Sequence, residues 1–225
     1  MELTLNTSGQ AQVLVRTESN DVRSAAEIYR DGLLSTGTYL VKGFGVGKAL
    51  SNEGTWIIDG GWLTQNDSAA SHAKYEIAAA QGNKKEMLYG VRAKTGNGDD
   101  KRMGFGLHFL ASETPDTGNT WNYGNSYLLW VTQDPIYGAD NVQLQFYESQ
   151  DNNRLTLHAS RSISASMTSG LTVEALLMGN DNVTLIVNGT EQLSLDLGSS
   201  FTNGDSIALR ALGGPVNFSD VYVVE

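Results

Sequence analysis

The chain has 225 residues, and its 25 acidic against 15 basic side chains give a formal net charge of −10. It contains 25 glycines and no cysteine, which excludes a disulfide scaffold, a zinc–thiolate site, an iron–sulfur cluster and a thiol nucleophile. The acidic balance argues against nucleic acid or an anionic membrane as partner, because both require a basic surface.

At 40% hydrophobic and 18% charged, the chain is apolar enough to bury a core. No run reaches the ~18 apolar residues of a membrane helix. The first 20 residues lack the basic start and apolar centre of a signal peptide. The Gly, Asn, Asp, Ser and Thr richness suits a bacterial extracellular or cell-surface protein.

Taken in order, residues 2–6 (ELTLN) and 11–17 (AQVLVRT) read as strands. Residues 21–34 (DVRSAAEIYRDGLL) fit a short helix with Ala25, Ile28 and Leu33 inward. Residues 37–47 (GTYLVKGFGVG) read as one glycine-punctuated strand; the spacing is not that of a dinucleotide loop, and a bulge suits it better. From residue 73, apolar runs alternate with turn clusters. Strands are expected at 73–79, 86–94, 102–110, 126–133, 142–148, 154–159, 171–178, 182–188, 191–197, 206–211 and 217–224. Gly96-Asn97-Gly98, Gly179 to Asn182, Asn188-Gly189 and Asn203-Gly204 supply turn chemistry between them. This predicts an all-β sandwich in one domain over 1–225, with 1–36 as a less regular N-terminal appendage.

The strands alternate. Phe105, Leu107 and Phe109 share one face of 102–110, and Gly104, Gly106, His108 and Leu110 the other. In 142–148, Val142, Leu144 and Phe146 oppose Gln143, Gln145 and Tyr147. In 154–159, Leu155 and Leu157 oppose Arg154, Thr156 and His158. One face is therefore packed and the other meets solvent or ligand.

Several segments together resemble the concanavalin A-like lectin/glucanase superfamily, especially its laminin-G-like and bacterial carbohydrate-binding members. They are Gly54-Thr55-Trp56 through Leu63, Met103 to Phe109, Leu171 to Glu174 with Val183 to Gly189, and Phe218 to Val223. The resemblance covers about residues 37–225. It implies a jelly-roll of two antiparallel sheets, with a glycan held on the concave sheet and its bordering loops, often beside calcium. It also suggests a module of a large calcium-dependent bacterial adhesin.

Three residue groups are candidates for the chemistry. The first is the polar face carrying His108, Gln143, Gln145, Tyr147, Arg154, Thr156 and His158, with Trp130 and Glu174 beside it. Such a surface can hydrogen-bond hydroxyls and stack a sugar ring; a plain solvated face would show the same polarity. Trp130 faces outward if Tyr127, Leu129 and Val131 are the core set, and inward in the reverse register. The second group is the loop 112–126, where Trp121 and Tyr123 stand among Asn122 and Asn125, and aromatic rings of this kind suit carbohydrate stacking. Tyr137, in the loop 134–141, joins this rim. The third group is acidic. Calcium takes six to eight oxygen ligands, and Asp99, Asp100, Asp134, Asp140, Asn141, Asp151 and Asn153 are the candidates, with Glu148, Asn152 and Asp181 near them. Asp and Asn are equally the residues that turns prefer.

Enzymatic motifs are scarce. The chain has no Glu-x-Asp-x-x-Glu strand of the retaining glycosidases, no Gly-x-Ser-x-Gly and no His-Glu-x-x-His. His108, Gln143, Tyr147 and Arg154 supply the residue types of a polysaccharide lyase acting on an acidic glycan, which is the enzymatic alternative. The leading expectation is a non-catalytic, lectin-like, calcium-assisted carbohydrate-binding module with a glycan partner, in cell adhesion or a secreted enzyme. A peptide-binding or spacer module of the same fold is a third reading.

Overall fold

The computed structural model of the chain describes residues 2–5, 11–16, 22–50, 54–68, 72–80, 86–96, 102–112, 122–138, 141–150, 154–199, 201 and 204–225. Strands β1 (Glu2–Leu5), β2 (Ala11–Arg16) and β3 (Val22–Arg23) form a small antiparallel sheet. Helix α1 (Ala25–Thr36) follows. Next come β4 (Tyr39–Lys42), β5 (Gly47–Ala49), β6 (Trp56–Asp59), β7 (Trp62–Gln65), β8 (Ala73–Ala78), β9 (Glu86–Thr95) and β10 (Met103–Ala111). The chain continues through β11 (Ser126–Gln133), a 3₁₀ turn at Pro135–Tyr137, β12 (Val142–Gln150), β13 (Arg154–Ile163), β14 (Leu171–Met178) and β15 (Asn182–Val187). It ends with β16 (Thr190–Asp196), β17 (Ser206–Leu212) and β18 (Val216–Val224).

These strands build two antiparallel sheets. One has seven strands in the order β13-β12-β11-β10-β17-β8-β5. The other has eight, ordered β16-β15-β14-β9-β18-β7-β6, with β4 also on β18. Along one edge β18 pairs with β9; along the other it pairs first with β7 and then, past a bulge, with β4. The two sheets pack face to face, as period-2 patterning requires. Phe105, Leu107, Phe109, Leu129, Val131, Leu144 and Phe146 from the first meet Tyr89, Val91, Val173, Leu177, Leu185 and Phe218 from the second. Tyr89 stacks on Phe109 at 4.7 Å between ring centroids. This is the expected all-β sandwich.

The outer face of the eight-stranded sheet is closed by α1. Ser24 caps the helix: its Oγ accepts from the Glu27 N–H, and the Glu27 carboxylate accepts from the Ser24 N–H. Ala26, Tyr29, Leu33 and Leu34 lie on Leu88, Leu176, Ile186 and Val224. Of the residues expected inward, Leu33 is so placed. Ala25 is exposed and Ile28 is half-buried outside this cluster, because the helix starts at Ala25 and turns its Ala26–Tyr29–Leu33 stripe to the sheet.

Glu174 is displaced from its expected place. It belongs to β14 in the eight-stranded sheet and is 0% exposed. Its carboxylate accepts from Arg30 Nε at 2.7 and 2.9 Å and from the Tyr222 hydroxyl. The sequence pattern shows its buried strand and the helix that carries Arg30, but not that this helix docks over the strand. Residues 37–47 are likewise not one strand. Gly43 and Gly45 take positive φ (78° and 50°) and break the run, so β4 joins β18 in one sheet and β5 joins β8 in the other.

Candidate functional site

The polar face of the seven-stranded sheet is a lattice of three rows fixed by strand register. The middle row runs Ser160, Gln145, Trp130, Gly106, Arg210, Lys74 across β13, β12, β11, β10, β17 and β8. One flanking row runs Ser162, Gln143, Thr132, Gly104, Leu212. The other runs Leu157, Tyr147, Leu128, His108, Ala208, Glu76, Lys48.

Trp130 organises this face. Its indole lies over β10 where two glycines remove the side chains that would obstruct it. A Cβ on Gly104 would stand 2.2 Å from the indole Cζ2, and one on Gly106 would stand 2.8 Å from Cε3. The Arg210 guanidinium lies over the same ring, 4.7 Å from its centroid, a cation–π arrangement. Arg210 also donates from Nε and Nη2 to His72 Nδ1, at 3.2 and 2.6 Å. His72 holds left-handed backbone (φ 59°) just ahead of β8, a conformation found where surrounding structure enforces it. Burial, followed by the charges of Arg210, Lys74 and Arg102, lowers the His72 pKa to about 3, so the imidazole is a neutral acceptor.

Around this centre is a cavity of about 200 Å³ lined by His72, Arg102, Leu128, Trp130, Thr132, Asp134, Tyr137, Gln145, Tyr147, Leu155 and Arg210. Its rim comes from the β11–β12 connection. Asp134 caps the 3₁₀ turn through the Ile136 N–H and pairs with Arg102 Nε at 2.8 Å. Tyr137, 41% exposed, projects from that turn. The Tyr147 hydroxyl donates to Gln145 Oε1 (2.9 Å), and Gln145 Nε2 donates to the Tyr137 hydroxyl (3.2 Å). Burial raises the Tyr147 pKa, keeping its proton in this relay.

Five expected site residues therefore meet in one cavity: Trp130, Tyr137, Gln145, Tyr147 and Asp134. Trp130 faces away from the core, with Tyr127, Leu129 and Val131 inward; of the two open registers this is the first. Yet it is only 6% exposed, so its ring supports Arg210 and is no open sugar platform.

Other candidates stand elsewhere. Tyr123 is 2% exposed. Its hydroxyl reaches Glu76 and Ser206 and its ring lies 5.6 Å from His108, so it is a cover over the sheet and not an exposed stacking group. His108 is fully buried beneath it, and burial, followed by Arg210, Lys74 and His72, holds its pKa well below the usual range. The Ser126 hydroxyl donates to the Tyr123 carbonyl at 2.6 Å and accepts from His108 Nδ1. This serine–histidine pair is thus arranged for structure; its hydroxyl proton is directed away from the imidazole. Asn125 closes the base of the 112–126 loop through backbone bonds with Ser112. Gln143 is satisfied by Ser162 and Ser160 outside the cavity.

His158 lies on the other side of the sheet. A bulge opposite Phe146 and Tyr147 inserts it, and its ring meets Phe146 (6.0 Å) and Glu148 (3.1 Å). The same bulge turns Leu155 and Leu157 to the polar face, reversing the expected polarity of β13. His108, Gln143, Tyr147 and Arg154, the lyase set, are consequently not brought together.

Among the described residues no group of three His, Asp or Glu side chains is placed to hold a metal ion. Asp134 is committed to Arg102 and Ile136, and the Asn141 amide donates to the Tyr137 carbonyl. Trp121, Asp99, Asp100, Asp140, Asp151 and Asn153 lie outside the described residues, as does Asn152.

Sequence reasoning missed Arg210, Arg102 and His72. Arg210 had a signal: in SIALRAL (206–212) it is the one charge in an otherwise apolar strand, on the Ala208 face. What the pattern lacked was strand order, which seats β17 beside β10.

No family model matches the chain, and no curated protein matches it by sequence. Solved structures do share its fold. It is similar to the carbohydrate-binding module CBM66 from Bacillus subtilis at a TM-score of 0.56 and 12% identity, covering 80% of this chain and 95% of that one. It is similar to the CBM2 module of the evolved Dit of Lactobacillus casei BL23 phage J-1 at 0.59 and 10%, covering 84% and 95%. It is also similar to the Emp47p carbohydrate recognition domain at 0.57 and 12%, covering 85% and 97%. At these identities the likeness establishes the fold, a jelly-roll β-sandwich of the lectin-like type.

Proposed function

We propose that the chain is a non-catalytic carbohydrate-binding module whose glycan site is the cavity on the seven-stranded sheet. The observation that carries this reading is the cavity itself. On one face of a lectin-like sandwich, two tyrosines, an oriented glutamine and a stacked arginine converge on a space of about 200 Å³. Tyrosines offer an apolar face and a polar tip, which suit a sugar's two kinds of surface. The shared fold with proteins described as carbohydrate-binding modules supports the choice of ligand. Both cavity-facing and buried histidines are held neutral, and the described lining contains no nucleophile paired with a base.

We place the module in a bacterial surface or secreted protein, consistent with its cysteine-free, Asn- and Gly-rich composition. Calcium assistance belongs to this proposal only through the acidic stretches 97–101, 139–140 and 151–153, because Asp134 and Asn141 are engaged otherwise. A glycan array with the intact chain tests the reading. Binding of at least one oligosaccharide, weakened by Tyr137→Ala without loss of the folded state, is expected. An array with no bound glycan would overturn it.

A further inference from the structure

We infer that the sugar bound in the cavity carries an acetamido group, read by Tyr137, Tyr147 and Leu157; this rests on the carbohydrate-binding reading and names the class of sugar. The first observation is the tyrosine pair. Gln145 stands between the two hydroxyls: Tyr147 donates to its Oε1 at 2.9 Å, and its Nε2 donates to Tyr137 at 3.2 Å. Tyr147 has therefore spent its proton and keeps lone pairs. Tyr137 has accepted one bond and gives its proton to no described group. Both tyrosines line the cavity, which thus receives one hydroxyl that accepts and one that donates. The count holds whichever end of the Gln145 amide meets which hydroxyl, because the amide donates once and accepts once between them.

The second observation is an apolar wall beside that pair. The bulge opposite Phe146 and Tyr147 turns Leu155 and Leu157 of β13 onto the polar face. Leu157 is the direct register partner of Tyr147, and side chains so paired stand about 4.5–5.5 Å apart at Cβ. It is 48% exposed. Leu155, two residues back, lines the cavity with both tyrosines. Past the bulge the same face of β13 carries Ser160 and Ser162, opposite Gln145 and Gln143. The apolar stretch is therefore confined to the tyrosine end of the site.

An acetamido group meets all of these features at once. Its carbonyl only accepts, its N–H only donates, and its methyl is apolar. A sugar hydroxyl satisfies either tyrosine but leaves the leucines bare. The methyl of a deoxy sugar covers the leucines but offers nothing to the hydroxyls. The group is also neutral, which suits a lining whose charged members are engaged by neighbours, Arg210 by His72 and Arg102 by Asp134. Gln145 holds both hydroxyls before any ligand arrives, so less ordering remains to be done on binding.

The test is calorimetric titration of the intact chain with pairs that differ only in acetamido for hydroxyl: di-N-acetylchitobiose against cellobiose, and N-acetyllactosamine against lactose. Fucosyllactose against lactose adds a methyl without an amide. In at least one acetamido pair the acetamido member is expected to bind about tenfold or more tightly. Tyr137→Phe and Leu157→Ser, both at exposed positions, should each reduce this preference while leaving the melting temperature unchanged. Tyr147→Phe frees Gln145 Oε1 to take the Tyr137 proton instead, and should reduce the preference as well. If acetamido and hydroxyl members bind equally, the inference falls and the carbohydrate-binding reading stands. If fucosyllactose gains as much over lactose and Tyr137→Phe changes nothing, a methyl alone is read and the assignment to an acetamido group falls. A preference that survives all three variants would overturn the assignment to these residues. If no sugar of any kind binds to the folded chain, both readings fall.

Discussion

Replacing Gly104 with alanine tests whether the indole of Trp130 is the foundation of the site. The new Cβ would stand 2.2 Å from Cζ2, with Cε2 and Cη2 at 2.8 and 2.9 Å. Carbon atoms settle at about 3.5 Å, so the ring must retreat by about 1.3 Å (3.5 − 2.2). That ring also carries the Arg210 guanidinium, and its retreat disturbs the stack. Overpacking of this kind costs about 1–3 kcal/mol, or roughly 2–12 °C in melting temperature at this chain length. Displacing the arginine from the cavity lining weakens binding about tenfold or more. Gly106→Ala is the internal comparison. Its Cβ would stand 2.2 Å from the Leu129 carbonyl oxygen on β11, a backbone atom that moves only if β10 and β11 separate. It should therefore melt well below Gly104→Ala. The assay pairs thermal melts with titration of a bound oligosaccharide. Unchanged affinity in Gly104→Ala, or a Gly106→Ala variant as stable as Gly104→Ala, would refute the reasoning.

Glu174→Ala should cost about 3–5 kcal/mol, because it leaves Arg30 and the Tyr222 hydroxyl without their shared acceptor; the double change Arg30→Met with Glu174→Leu should recover most of it in urea denaturation. His72 and His108 stay neutral in the folded chain while the unfolded chain protonates them near pH 6.5, so the unfolded state binds more protons below that value. Stability is then fully present above about pH 6.5 and is lost as pH falls towards the lowered folded values. Unfolding at pH 5.5 should take up about two protons, and uptake of fewer than one would contradict the assignment. Chelation addresses the calcium proposal: EDTA should lower both melting temperature and glycan affinity, with calcium restoring them, and indifference to both would remove calcium from the proposal.

Most of the sandwich was legible because its signals are local. Strands 126–133 and 171–178 match β11 and β14 residue for residue, since alternation and turn residues mark them without reference to neighbours. The failures have a common physical origin in what alternation does not encode. A one-residue bulge reverses β13 and carries His158 to the far side. Strand order decides that Arg210, from the chain's end, lies beside Gly106 and over Trp130. Tyr123 folds onto the sheet and covers His108, so both are buried, although their residue types and positions suit an exposed site. Trp130, Tyr137, Gln145 and Tyr147 were readable as a polar, aromatic set. The cation they surround was not, because its place depends on a contact between residues 80 positions apart in the chain.

The positions of β17 and β18 set the order in which the molecule can be completed. These two strands, spanning 206–224, are the last described elements, yet each sits inside a sheet with partners on both sides. During synthesis, β10 and β8 must wait for β17, and β9 must wait for β18, before either layer closes. Contacts of such long sequence separation fold slowly. A ribosome-bound chain halted before residue 206 would expose the interior edges of both sheets. It would also lack Arg210, so closure of the seven-stranded sheet and completion of the cavity lining depend on the same strand, β17.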